Sequence, residues 1–297
     1  MNLETTLLFV SGITSGQRYI FRYMGRNIHG DGLPSAELSV LAATVPTKMS
    51  APTITLQSGA VYRASFVAPG SGGTNVAFAA YEVSFRTSDG TTYSTSSECT
   101  GSSLLTNTYC DVSLAQFTST FGLVQGDVVV AKVRASNELG FGELSEQSTS
   151  LIYVVALPHA LTAAPLRNSA SSTTTSIAVD MPAVATGTTS GGIPITSYSL
   201  EWNGGGSGEV SWTSLVDDIA TSYVKTGLTT GTMYKFRYLA KNDVGYSDPS
   251  PVMTTYAGTE PSQPAIPTTL IDSSTPTAVT ITWTAPGDDG GLAVSSY

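Results

Sequence analysis

The chain is 297 residues long, with 29 Gly and 15 Pro but only 12% charged residues, about half the usual ~25%. A formal charge of -9 at pH 7 would repel a phosphate backbone, which excludes DNA and RNA as partners. Hydrophobic content of 41% argues against disorder. Ser and Thr make up roughly a quarter of the chain, well above ordinary usage.

In chain order, a short apolar run at 7–10 reads as a strand, and the opening Met1-Asn2-Leu3-Glu4 lacks the basic start of a signal peptide. An exported protein would therefore carry its targeting segment outside this sequence. No run of ~20 apolar residues offers a membrane span. Next comes Gly16-Gln17-Arg18-Tyr19-Ile20-Phe21-Arg22-Tyr23-Met24-Gly25-Arg26-Asn27, followed by Gly30 and Ser35. Tyr19, Phe21 and Tyr23 alternate with Arg18 and Arg22, the period of a half-buried strand. A Pro-bearing link at 46–52 leads to Phe66-Val67-Ala68-Pro69, then Gly72-Gly73, then Tyr81.

The second stretch contains the two cysteines, Cys99 and Cys110. A disulfide between them would close a loop of about ten residues, contributing about 2–3 kcal/mol by loop entropy, and would indicate an oxidising compartment. A weaker copy of the first strand motif follows at 126–137, ending in Asn137 and trailed by Gly140 and Ser145. After a second Pro-bearing link at 158–165, the order repeats: Val179-Asp180-Met181-Pro182, Gly191-Gly192, Tyr198. Gly204-Gly205-Gly206-Ser207-Gly208 reads as a hairpin turn. The strongest strand copy is Gly231-Thr232-Met233-Tyr234-Lys235-Phe236-Arg237-Tyr238-Leu239-Ala240-Lys241-Asn242, with Gly245 and Ser250. A third link at 261–267 leads to Trp283-Thr284-Ala285-Pro286, Asp288-Asp289-Gly290-Gly291 and Tyr297. Self-similarity at roughly 105 to 110 residues marks a tandem array of small domains.

Taken together, Trp-x-x-Pro, Gly-Gly, Tyr, then Gly-Leu-Thr-Thr-Gly-Thr-x-Tyr-x-Phe-Arg-x-x-Ala-x-Asn and Gly-x-Ser-x-x-Ser resemble the fibronectin type III domain. The resemblance implies an all-β fold of tandem immunoglobulin-like sandwiches, two complete and two partial. It divides the chain into the C-terminal half of a domain at 1–45, a domain with the cysteine pair at 46–157, a domain at 158–258 and the N-terminal half of a domain at 259–297. It also implies that Tyr19 and Tyr234 occupy the corner before the sixth strand, with Ile13 and Leu228 as apolar partners, and that Trp283 is a core tryptophan. In the second domain Val129 and Phe66 stand in the tyrosine and tryptophan places, which removes the corner hydroxyl. Aligned in this way the chain is a window on a longer array, or else one whose trailing half completes the leading half of a neighbour, head to tail.

Chemistry is sparse. His29 and His159 fall in loops of different domains without convergent partners, so no metal, cofactor or catalytic triad is expected and the chain reads as non-enzymatic. Asp217-Asp218 and Asp288-Asp289 bring too few carboxylates for calcium and read as turns. No Asn-x-Ser/Thr sequon occurs. Hydroxyl-rich runs holding Thr91, Thr92, Ser94, Ser171, Ser172, Thr173, Thr174, Thr186, Thr188 and Thr189 are candidate O-glycan sites, which would keep so weakly charged a surface soluble.

These readings lead to an extracellular or cell-surface structural protein: a filament, stalk, or ciliary or flagellar appendage that self-associates or continues as one long chain. The alternatives are a spacer or ligand-binding array of a receptor or adhesin ectodomain, and the accessory region of a secreted polysaccharide-active enzyme.

Overall fold

The computed structural model describes residues 12–206, 211–271 and 278–297. The predicted strand at 7–10, and Ser207 and Gly208 of the glycine turn, lie outside the described residues. The chain separates into two compact units, 1–154 and 155–297.

In the first unit, β1 (Arg18–Phe21), β2 (Arg26–Asn27), β3 (Gly30–Asp31) and β4 (Leu38–Leu41) form two short antiparallel pairs, β1 with β4 and β2 with β3. The predicted strand at 16–27 is thus broken after Phe21. Among the described residues its apolar alternation has no facing sheet to pack on, and Tyr23, Met24 and Leu38 stay exposed.

Beyond it, β5 (Thr53–Gln57), β6 (Val61–Ser65), β7 (Ala80–Arg86), β8 (Tyr93–Gly101), β9 (Tyr109–Ser113), β10 (Ala131–Asn137) and β11 (Gly140–Phe141) make two sheets, in the orders β5-β6-β9 and β11-β10-β7-β8. Period-two burial in β6, β7 and β10 sends Tyr62, Ala64, Val83, Phe85, Val133 and Ala135 into one core. A short helix, α1 (Leu114–Ser119), interrupts the otherwise all-β order. Phe117 within it and Phe121 just after it are four positions apart. They pack on Phe85 (ring centroids 5.2 and 5.4 Å), and Phe117 also meets Tyr62 (4.6 Å). Burying these rings is what fixes so short a helix, since six residues are below the length that propensity alone can hold.

In the second unit, β12 (Leu166–Thr173), β13 (Ser176–Asp180), β14 (Ser197–Trp202), β15 (Thr213–Asp218), β16 (Ser222–Thr226), β17 (Met233–Lys241) and β18 (Met253–Tyr256) form sheets β12-β13-β16 and β15-β14-β17-β18. Strand β17 alternates without a break, burying Tyr234, Phe236, Tyr238 and Ala240 against Ile177 and Val179 of the other sheet. The final pair, β19 (Thr268–Ile271) and β20 (Val279–Thr282), forms an antiparallel hairpin.

The Gly-x-Ser-x-x-Ser motif acquires a structural role. Ser247 and Ser250 accept from the N–H groups of Ala240 and Tyr238 (3.1 and 3.0 Å), while their own N–H groups bond the same two carbonyls. Ser145 and Ser148 do the same for Val133 and Ala131. The hydroxyls stand in for ladder bonds that the irregular last segment of each sandwich does not supply.

Candidate functional site

Each of the two tyrosines bonds the backbone of the turn that precedes it. The Tyr234 hydroxyl accepts from Thr229 N at 3.0 Å, with Leu228 buried beside it. The Tyr19 hydroxyl accepts from Thr14 N at 2.8 Å, but Ile13 is 45% exposed, since no second sheet covers it among the described residues. Just before β10, Val129 is fully buried, and the equivalent donor, Val124 N, is taken by the Asp127 carboxylate at 2.8 Å. The missing phenol is thus replaced by a carboxylate two positions earlier, with Leu123 buried as the apolar partner.

Trp283 departs from its expected place in a core. It is 58% exposed, and its ring lies 6.3 Å from that of Tyr297 between centroids. Among the described residues the hairpin β19–β20 presents one sheet with no second sheet facing it, and a ring buries only where two layers meet.

Cys99 and Cys110 are disulfide-bonded, with Cα atoms 5.4 Å apart. The bond is more than a loop closure: it ties β8 of one sheet to β9 of the other, and both residues are buried.

The hydroxyl-rich runs divide into exposed and committed members. Ser172 is buried, donates to Asn168 O (2.7 Å) and accepts from Ala178 N (3.0 Å), stapling the irregular pairing of β12 with β13. Its hydroxyl has no access to a glycosylating enzyme, so it is removed from the candidate sites. Thr92 donates to Asp89, Thr173 pairs with Ser176 at 2.8 Å and Thr189 donates to Ala185 O at 2.8 Å. Ser94 and Thr174 are half-buried, whereas Thr91, Ser171, Thr186 and Thr188 are exposed.

Several charges are paired across neighbouring strands. Arg237 meets Glu201 at 2.6 Å and lies 4.3 Å over the Trp212 ring. Arg134 meets Glu82 at 2.7 Å and covers Phe141, and Arg63 forks onto Asp111 at 2.7 and 2.8 Å. Asp89 caps the β7–β8 hairpin. The Thr92 hydroxyl, then the N–H groups of Thr92 and Thr91, hold its carboxyl well below the usual carboxylate range. Hydrogen bonds from Ser197 and then Tyr246 lower Asp217 in the same sense.

Among the described residues, no three His, Cys, Asp or Glu side chains converge to hold a metal. His29 and His159 are exposed in separate units. The aspartates at 288 and 289 accept from the N–H groups of Gly290 and Gly291 (2.9 and 2.8 Å), as turns do. No helix among the described residues is long and apolar enough to cross a membrane.

Fast-type myosin-binding protein C of Gallus gallus is 32% identical over 114 residues, covering 36% of this chain and 9% of that protein. The Homo sapiens protein is 30% identical with the same coverage. A Kelch domain-containing protein of Saccharolobus solfataricus is 34% identical over 77 residues, 26% of this chain and 10% of that protein. The chain thus spans only 9 to 10% of these relatives' length. The crystal structure of chicken CNTN1 FN1-FN3 domains overlaps 82% of this chain and 76% of that one at 18% identity, with a TM-score of 0.37. Residues 164–256 match the model of the fibronectin type III domain. The corner, the two sheets and the sequence match coincide on that stretch, and the chain carries a fibronectin type III domain there.

Proposed function

We propose that the chain is a non-enzymatic stretch of an extracellular protein, a spacer and binding scaffold in a receptor or adhesin ectodomain, built from fibronectin-type sandwiches at 1–45, 46–157, 158–258 and 259–297, two complete and two partial. The observation that carries this reading is that two-sheet sandwiches follow one another in one chain, each with buried apolar side chains between its sheets and an ion pair across its strands. Such modules hold binding surfaces at a distance; chemistry needs convergent groups. The buried Cys99–Cys110 bond supports an oxidising compartment. Exposed hydroxyls at Thr91, Ser171, Thr186 and Thr188 carry O-glycans in this reading, detectable as excess intact mass.

Antibody staining of intact cells of the source tests it. Signal without permeabilisation is expected, and signal only after permeabilisation overturns the reading. Electron microscopy of native material separates the scaffold from a filament: regular fibres with a repeat of a few sandwiches would install the filament instead.

A further inference from the structure

Within each unit, two successive segments are joined through a single residue. Ala42 is hydrogen-bonded both ways to the turn before β1: Gly16 N donates to Ala42 O (2.8 Å) and Ala42 N donates to Gln17 O (2.9 Å). Two positions on, Thr44 belongs to the next segment. Its N–H donates to Gly72 O (2.9 Å), and its carbonyl accepts from the Asn137 side-chain amide (2.7 Å), which also donates to Ser71 O (2.9 Å). Only Ala43 lies between the two clamps.

The arrangement recurs inside the second unit. Gly231 N donates to Ala257 O (2.8 Å), Ala257 N donates to Thr232 O (3.0 Å), and Thr259 N donates to Gly290 O (2.8 Å), leaving Gly258 between. At the start of the same unit Ala156 N donates to Gly191 O (2.8 Å), and Ala156 O accepts from Asn242 (2.7 Å), which also reaches Ser190 O (2.9 Å). Asn137 and Asn242 close the repeated strand motifs, so the sequence repeat and the clamp coincide.

The Gly-Gly loop can seat only as glycine. Gly72, Gly191 and Gly290 have φ of +93°, +82° and +71°, and a Cβ on each would fall 2.0, 2.0 and 2.1 Å from the carbonyl oxygens of Thr44, Ala156 and Thr259. The loop also abuts the preceding segment. A Cβ at Gly16 would fall 1.7 Å from Thr74 O, and one at Gly291 would fall 2.3 Å from Thr230 Cγ2. Thr230-Gly231 stands in the repeat where Ser15-Gly16 does, so the same two surfaces meet at both joints. Arg18 adds an ion pair to Glu138 at the first.

We infer that the Gly-Gly loop and the turn before the tyrosine-bearing strand are complementary faces of a built inter-sandwich joint, whose partner is the following sandwich of the same chain. The joints at 42–44 and 257–259 hold neighbouring sandwiches at a fixed angle instead of tethering them loosely, because one residue offers two soft dihedrals and the glycine contacts close both. This deepens the spacer reading by making the spacer stiff at those points, and it rests on the joint geometry alone.

Electron–electron double resonance on the full chain tests it, with nitroxides on ketone-bearing residues at Ser222 and Thr280 for the second joint, and at Ser39 and Glu98 for the first. Each pair is expected to give one narrow distance distribution. Gly290→Ala and Asn137→Ala are expected to make the distribution across their own joint roughly twice as wide, as a loosened link samples more conformations. Gly287→Ala, in the same loop but with open space around its Cβ, leaves it unchanged. A broad distribution in the unmodified chain, or distributions that stay narrow in both variants, overturns the joint. Either result leaves the cell-staining outcome standing, so the two readings fail separately.

Discussion

The second and third sandwiches share a strand order and differ in what holds it. The third, at 164–256, relies on one unbroken aromatic strand: Tyr234, Phe236 and Tyr238 fill the core, and the Tyr234 hydroxyl ties the corner. The second has Val129 at the corner and recovers the lost contacts from three places: the Asp127 carboxylate, the rings of Phe117 and Phe121, and a disulfide between its sheets. The corner bond therefore belongs to the fold, while the side chain that makes it does not. Any acceptor that reaches the same backbone N–H will serve.

The comparison yields a graded set of expectations, those on the core, the disulfide and the corners readable by hydrogen exchange, which reports each sandwich separately. Phe117→Ala should have the largest effect, destabilising the second sandwich by about 3–5 kcal/mol through lost burial and the cavity left behind, with the third untouched. An equal drop in both sandwiches would show that the two cores are coupled. Reduction of Cys99–Cys110 should cost about 3 kcal/mol, again only in the second.

At the corners, Tyr234→Phe and Asp127→Ala should each cost about 1–2 kcal/mol, since each leaves a backbone donor without its acceptor. Should Asp127→Ala be neutral while Tyr234→Phe is costly, the proposed equivalence of the two corners would fall. The smallest effect is acid. Asp89 has a folded-state pKa below its unfolded value, so its contribution is present at neutral pH and is lost as pH falls from the ordinary carboxylate range towards the lowered one. Urea midpoints at pH 7 and pH 3 should converge slightly in Asp89→Asn compared with the parent.

What could be read beforehand was what repeats with a short period. The alternation at 233–241 specified β17, because period two sends every second side chain to one face. The sequence was less informative where a residue's role depends on a distant partner. Ser172 reads like any hydroxyl in a Ser/Thr run until its bonds to Asn168 and Ala178 are seen. Trp283 reads as core by its motif, yet a core needs a second sheet. Helix α1 gave only a Phe117–Phe121 spacing of four, too short a signal for a helix by periodicity.

Sequence alone thus determined the strand periodicity, the repeat and the paucity of chemistry, all local properties of neighbouring residues. Only the tertiary structure decided which sheet each cysteine joins, which acceptor closes each corner, and why Gly72 and Gly290 are glycine. Each of those depends on atoms from distant parts of the chain meeting within hydrogen-bond or van der Waals reach, a distance that periodicity along the chain does not encode.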